Sequence, residues 1–253
     1  ASYYKWLHRE IPEQEQENMK LVELIKEYDE QFNHILGYRR MTSWINHFNH
    51  TNYTEKRVHR IMKKLGIHAV IRKKKKKYTS SPPETIAENK LGRDFYATAP
   101  NEKWATDVTE FKVPGENKKL YLSAILDLYD RYPVAYVLST RNDNQLVFKT
   151  FDKAIAANPD AKPLFHSDRG FQYTTKVFQM KLKEHKMEQS MSRVGCCIDN
   201  GPTEGFWGII KSEMYQMYDI TDEESLRFAI HDYIRFYSEE RPQDRYHCKT
   251  PLE

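Results

Sequence analysis

The sequence predicts a mixed α/β fold: a mixed sheet with helices on its faces, preceded by a small all-helical domain. Three observations predict it. Residues 18–66 carry apolar side chains at helical spacing. From about residue 101 the pattern changes to strand-like and helical runs in the order βββ-α-β-α-β-α, which demands a mixed sheet covered by helices. The charge balance changes across the same point, with 19 Lys+Arg against 12 Asp+Glu in residues 1–100 and 21 against 24 in residues 101–253.

The helical part comes first, over residues 1–66. Leu21, Leu24, Ile25, Tyr28 and Phe32 recur at i, i+3, i+4, i+7 and i+11 and form one apolar stripe. Gly37 breaks the chain, and Met41, Trp44, Ile45 and Phe48 give a second apolar stripe. After a polar turn, Thr54 is placed to cap a third helix, whose inner face is Val58, Ile61, Met62 and Leu65 and whose end is Gly66. The other face of that helix carries Lys56, Arg57, His59, Arg60, Lys63 and Lys64, with no acid after Glu55. A short basic helix after a tight turn is the way a helix-turn-helix offers its reading element to the DNA major groove.

Residues 67–100 read as a basic, proline-containing linker. Arg72, Lys73, Lys74, Lys75, Lys76 and Lys77 repel one another, and Ser80-Ser-Pro-Pro83 opposes regular structure. Within Lys56–Lys77 there are eleven basic residues and no acid. Such a block suits phosphate neutralisation, the main source of nonspecific nucleic-acid affinity.

The core is placed at residues 101–220, followed by a C-terminal helix and tail at 221–253. Thr106–Val113, Lys119–Leu128 and Pro133–Ser139 read as a three-stranded meander, the second strand apolar enough for burial on both faces. A helix over 145–157 precedes a short strand over 163–166. A helix over 175–186, a strand over 187–191 and helices over 202–217 and 222–239 complete the order. Pro202 suits a first helical turn.

Three scattered cysteines exclude a disulfide framework and suit a reducing cytoplasm, and no apolar run reaches membrane-spanning length. No metal-finger spacing joins the ten histidines and three cysteines. The chain opens at Ala1 without Met, as expected of part of a longer product.

Asp107, Asp168 and Glu204 fall at a strand, after a strand and on a helix, with thirty-five residues between the last two. Carboxylates so placed can build a clamp of hard oxygen ligands for two Mg²⁺ ions about 3.5–4 Å apart. The ordinary roles of such residues are a strand-end turn for Asp107, an Asx-turn before Gly170 for Asp168, and a first-turn Glu favoured by the helix dipole for Glu204. Asp127 ends a strand that the sequence places beside the same site. Asp199 reads as a turn-fixing residue, His166 as a packed strand histidine, Trp104 as core, and Tyr173 as equally core or surface platform.

Trp104-Ala-Thr-Asp-Val-Thr109, His166-Ser-Asp-Arg-Gly-Phe-Gln-Tyr173, Ser190-Met-Ser-Arg193, Asp199-Asn200 and Glu204-Gly-Phe-Trp-Gly-Ile-Ile-Lys-Ser-Glu213 resemble the catalytic product of transposases of the third insertion-sequence family. These belong to the superfamily of retroviral integrases, with a ribonuclease-H-like core and a DDE acidic triad. Gly37-Tyr-Arg-Arg40 and Lys56–Gly66 resemble the helical domain that precedes the core in that family. The likeness spans about residues 3–251 and implies a magnesium- or manganese-dependent polynucleotidyl transferase with two ions per site, held by Asp107, Asp168 and Glu204.

It further implies double-stranded DNA as partner, both transposon ends and target, and a homo-oligomer of at least two chains in the nucleoid-associated cytoplasm. An upstream, fused helical DNA-binding portion is also implied. The DNA contacts would come from Arg39, Arg40, Lys56, Arg57, Arg60, Lys63, Lys64, Arg72, Lys73, Lys74 and Lys75, and in the core from Arg169, Arg193, Asn200 and Lys211. Gly205 stands where Ser is common, Trp207 where the aromatic is usually Phe, and Gln243–Cys248 departs from the usual tail. A nuclease or resolvase of the same fold without joining activity, and a non-enzymatic DNA-binding regulator, are the alternatives.

Overall fold

The computed structural model describes residues 12–70, 87–116, 118–193 and 196–253. They fall into two compact units, one of residues 12–70 with 242–249, the other of 87–241 with 250–253. The basic run Arg72, Lys73, Lys74 and Lys75 lies outside the described residues. Among the described residues, no helix is long and apolar enough to cross a membrane.

The helical unit has α1 (Glu13–Gln31), α2 (Tyr38–Phe48) and α3 (Glu55–Leu65). Helix α1 begins five residues before its expected start at residue 18, because Glu13 and Glu15 in the first turn favour a helix N-terminus without any apolar stripe. Leu21, Ile25 and Phe32 bury against Met41, Trp44, Ile45, Val58, Ile61 and Met62, and the rings of Phe32 and Trp44 sit 4.4 Å apart. Phe48, the last residue of the second stripe, is 44% exposed, since it closes the last turn of α2 and lies against Trp44. Thr54 caps α3 by accepting the Arg57 N–H, and Gly66 ends it in the left-handed region at φ +71°, where an L side chain is strained. Residues 242–249 join this unit, and Ser43 of α2 donates to Asp244 there.

The second unit is built on β1 (Lys103–Lys112), β2 (Lys119–Asp127), β3 (Pro133–Ser139), β4 (Leu164–Ser167) and β5 (Glu188–Met191), with α4 (Asn144–Ala157), α5 (Lys176–Glu184), α6 (Gly201–Met217) and α7 (Glu223–Glu239). The sheet order is β3-β2-β1-β4-β5. Strands β1 to β3 form the antiparallel meander, while β4 and β5 run parallel to β1. Strand β1 is therefore central. It starts three residues earlier than its apolar pattern suggested, because Lys103–Ala105 pair with Leu164–His166 of β4. Strand β2 is buried from Leu122 to Asp127, as its double-sided apolar run requires.

Alternation along β1 sorts its side chains between two layers. Trp104 and Val108 pack with Val147 and Phe151 of α4 and Phe178 of α5, and Thr106 Oγ1 lies 3.2 Å from the Tyr173 hydroxyl. The odd-numbered residues face α6: Asp107 meets Trp207, Thr109 meets Lys211, and the Phe111 ring lies 6.5 Å from that of Tyr215. Three local caps seat the helices of this unit, as Asp143, Thr175 and Asp222 each accept a backbone N–H at the start of α4, α5 and α7. Residues 87–101 also belong here, with Leu91 and Phe95 packed on Ala105 and Leu128.

Helix α6 is fixed from behind by α7. The Phe206 and Tyr237 rings meet at 4.9 Å. Glu213, 3% exposed, accepts from the Tyr233 hydroxyl at 2.7 Å and from Arg241 Nε and Nη2 at 2.9 and 3.0 Å. Removing one partner of a buried pair leaves an uncompensated charge. Glu213→Ala, which strands Arg241, should lower unfolding free energy by about 3–5 kcal/mol, measured as a fall in the urea midpoint.

Candidate active site

The parallel pairing of β1 with β4 sets the site. Trp104 pairs with Phe165 and Ala105 with His166. Continued two residues, this register brings Asp107 level with Asp168, the first residue after β4, on strands about 4.8 Å apart. Asp168 is held by its own turn, Oδ1 accepting the Gly170 N–H at 2.8 Å. A Cβ at Gly170 would stand 2.9 Å from that same oxygen and 3.0 Å from Gln172 Oε1, so glycine is what lets the turn close. Glu204 comes from the first turn of α6, where the helix dipole favours a carboxylate. One turn on, Trp207 Nε1 donates to Asp107 Oδ2 at 3.0 Å and ties that helix to β1. The other oxygen of Asp107 accepts the Val108 N–H at 2.8 Å.

The charges of these groups feel one another. Burial raises the Asp107 carboxyl to about 7, the Asp168 and Glu204 charges push the same way, and the Val108 and Trp207 N–H groups oppose them. Burial also raises Asp168, against the Gly170 N–H, and raises Glu204 where its carboxyl is partly enclosed. Among the described residues, no group of three His, Cys, Asp or Glu side chains is arranged to hold a metal ion as it stands. Asp107 and Asp168 turn oxygens to protein N–H donors, and Glu204 stays exposed. The donor chemistry nonetheless suits a hard dication, for burial raises the proton affinity of all three carboxylates, the Asp168 and Glu204 charges add to it at Asp107, and a cation would relieve both.

The neighbours divide into framework and surface. His166 is fully buried between two hydroxyls, Ser190 Oγ at 2.9 Å from Nδ1 and Ser192 Oγ at 3.2 Å from Nε2, and burial lowers it to about 4. Trp104 and Tyr173 are core. Asp127, expected beside the site, is not there. The antiparallel register sets it opposite Trp104, three residues before Asp107 at the start of β1, where it accepts the Asn101 and Tyr129 N–H groups. Asp199 is the hub of the turn before α6: it binds Arg193 through backbone and guanidinium, Arg93 Nε at 2.6 Å and Asn89 Nδ2 at 2.9 Å. Arg193 is thereby engaged with Asp199, and Arg169 Nε donates to the Ser192 carbonyl at 2.6 Å. Asn200, 4% exposed, donates to the Thr106 carbonyl. Lys211 lies over the Phe111 ring with Nζ 2.5 Å from Thr109 Oγ1, half-buried on the Glu204 side of α6.

Sequence reasoning missed the hydrogen-bonding role of Trp207, although its place one turn after Glu204 signals a shared helix face. It also missed Asn89 and Arg93, which sit more than a hundred residues from Asp199 and have no local signal.

On the helical unit, Lys56, Arg60, Lys63 and Lys64 are exposed on α3. Arg57 turns back onto α1, with Nε 2.9 Å from Asn18 and Nη1 and Nη2 each 3.1 Å from Glu17. Arg39 is exposed beside Tyr38 and Glu55, and Arg40 is half-buried.

Comparison with known proteins resolves the class. An integrase core domain matches residues 97–197, a second integrase core domain 204–253, and an HTH-like domain 14–75. A protein of Escherichia coli (strain K12), assigned as the transposase InsK for insertion sequence element IS150, is 40% identical over 218 residues, 86% of this chain and 76% of its own length. The chain belongs to the insertion-sequence transposases. Another transposase of the same organism, InsF for insertion sequence IS3A, is 34% identical over 150 residues, 59% of this chain and 51% of its own length. This transposase also shares its fold with a solved chain in the simian T-cell lymphotropic virus intasome, with TM-score 0.53 and 15% identity over 83% of this chain and 72% of that one.

Within the transposase core, the Asp199 hub gives a pH signature. Its hydrogen bonds to Arg193, partly opposed by desolvation, hold the carboxyl well below the ordinary carboxylate range. A carboxyl lower in the folded than the unfolded chain stabilises above its unfolded value near ~3.9, and that stability is lost as pH falls through the folded value. Asp199→Asn should lower stability at pH 7 by about 1–3 kcal/mol. Thermal unfolding across pH 2–7 should then show the gap to wild type closing in acid.

Proposed function

We propose that this transposase binds the terminal inverted repeats of its element through the helical unit. It then cuts and joins DNA strands at a site of Asp107, Asp168 and Glu204 with two Mg²⁺ or Mn²⁺ ions. The observation that supports this reading most directly is that Asp168, at the end of β4, and Glu204, on α6, lie near enough to Asp107 on β1 for their charges to raise its carboxyl.

Bound cations would neutralise the attacked phosphate and lower the cost of charge on the attacking and leaving oxygens. The residues of the chain supply the rest. Asp107, Asp168 and Glu204 must be ionised to hold cations, so proton and cation compete for the same oxygens. The frame of β1, β4 and α6 fixes them before substrate arrives, and positioning of this kind supplies much of the acceleration in an in-line phosphoryl transfer. Lys211, seven residues after Glu204 on the same side of α6, would hold a DNA phosphate in exchange for its bond to Thr109. Water attacking the phosphodiester would break its P–O3′ bond and free a 3′-hydroxyl; at the same site that hydroxyl would attack a second phosphodiester, whose own 3′-oxygen leaves as a hydroxyl. Two ends must be joined, so the working form contains at least two chains.

On the helical unit, Lys56, Arg60, Lys63 and Lys64 form the exposed set on α3 for backbone contact, with Arg39 nearby in sequence on α2. Arg169, Arg193 and Asn200 each have protein partners, so a phosphate would compete with those contacts.

Two measurements test this reading. With labelled repeat ends and Mg²⁺, Asp168→Asn should reduce both cleavage and joining by on the order of a hundredfold or more, while end binding in a gel-shift assay persists. Unchanged joining would remove the mechanism, and cleavage without joining by the wild type would favour a nuclease. Lys63→Ala should weaken binding equally on all sequences and reduce the slope of log affinity against log salt by about 1; a sequence-dependent loss would place Lys63 at a base edge.

A further inference from the structure

Trp207 makes a bond that its packing does not require. It is 6% exposed, and its ring already fills space beside Phe206 at 5.1 Å. A phenyl ring could occupy much of that volume, but only an indole carries an N–H to donate. That N–H reaches Asp107 Oδ2 at 3.0 Å, while the Val108 N–H takes Oδ1 at 2.8 Å. A carboxylate has about four lone-pair positions, two on each oxygen. One donor on each oxygen fixes rotation of the group about its Cβ–Cγ bond and leaves each oxygen with acceptor capacity. With Val108 alone, Oδ2 would have no donor to hold it against the charges of Asp168 and Glu204.

The donor also has a particular source. Trp207 sits three residues after Glu204 on α6, so one helical turn links the two acids. Any shift of α6 along β1 that moves Glu204 also stretches the Trp207–Asp107 bond.

We infer that Trp207 is a positioning residue of the cation site: its indole N–H orients the Asp107 carboxylate and sets the distance between the strand-borne and helix-borne acids. The inference rests on the proposed cation site and adds to it a residue that touches neither cation nor DNA. Outer donors to ligating groups are commonly worth 10–100-fold in metal affinity. Loss of this one should therefore appear in cation affinity, not in folding or DNA binding.

The test uses the full chain and Mn²⁺ itself as probe. Wild type and Trp207→Phe are compared by calorimetric titration with Mn²⁺, by urea unfolding, and by the Mg²⁺ concentration giving half-maximal strand cleavage. The expected result for Trp207→Phe is roughly tenfold weaker Mn²⁺ binding or more, a matching rise in the Mg²⁺ requirement, recovery of rate at saturating Mg²⁺, and little change in the urea midpoint. Binding by wild type that Trp207→Phe leaves unaltered overturns the inference while the cation site stands. Absence of Mn²⁺ binding by wild type overturns the cation site and this inference together. Should Trp207→Phe fold poorly, the wild-type chain labelled with ¹⁵N-tryptophan decides. One of its four indole N–H signals should move on Mg²⁺ addition and lose that response in Asp107→Asn; four signals indifferent to Mg²⁺, in a chain that binds the ion, would overturn it.

Discussion

The constraint on which this molecule turns is the gathering of like charges. Burial raises the proton affinity of Asp107, Asp168 and Glu204, and at Asp107 the charges of the other two add to it, so left to themselves the three would move apart into water. What keeps them together is framework. A strand buried at the centre of a five-stranded sheet carries the first, a glycine-closed turn carries the second, and a helix pinned from behind carries the third. Much of the surrounding structure is intelligible as resistance to that repulsion. Strand β1 pairs with β2 at Asp107 itself and with β4 as far as Ala105, so Asp107 has little backbone freedom to retreat. The buried Glu213–Arg241–Tyr233 contact and the Asp199 hub hold the far and near ends of α6 respectively.

Helix and strand are commensurate at this place. Four residues of helix advance about 6 Å and two residues of strand about 6.6 Å. Trp207, Lys211 and Tyr215, each four apart, therefore meet Asp107, Thr109 and Phe111, each two apart. The match keeps α6 in step along β1 through three successive contacts of different chemistry: a charge-assisted hydrogen bond, an ammonium on a hydroxyl, and a pair of rings.

Most of this architecture can be read in the sequence, because it is written in local patterns. The double-sided apolar run Leu120–Leu126, the caps Thr54, Thr175 and Asp222 with their helices, and the left-handed Gly66 each announce themselves within a few residues. The three acids stood out through their settings and through family likeness, not through any spacing that physics alone dictates. What escaped was non-local. The antiparallel register that sets Asp127 opposite Trp104, away from Asp107, is set by pairing, not by its own neighbours. The turn of Arg57 onto Glu17 reduces a basic face that looks uninterrupted along α3, and the acid responsible lies forty residues away. Phe48 has the spacing of a core residue and the position of a helix end, and position prevailed.

The step-matching of α6 against β1 also bears on how the chain can vary. A changed side chain at one of those three rungs alters one rung. A single residue added or lost between Trp207 and Tyr215 would turn the remainder of the helix by about 100° and put every later rung out of phase at once. In this stretch length is guarded more strictly than composition, so drift among homologous elements should accumulate as exchanges of residue and almost never as gaps.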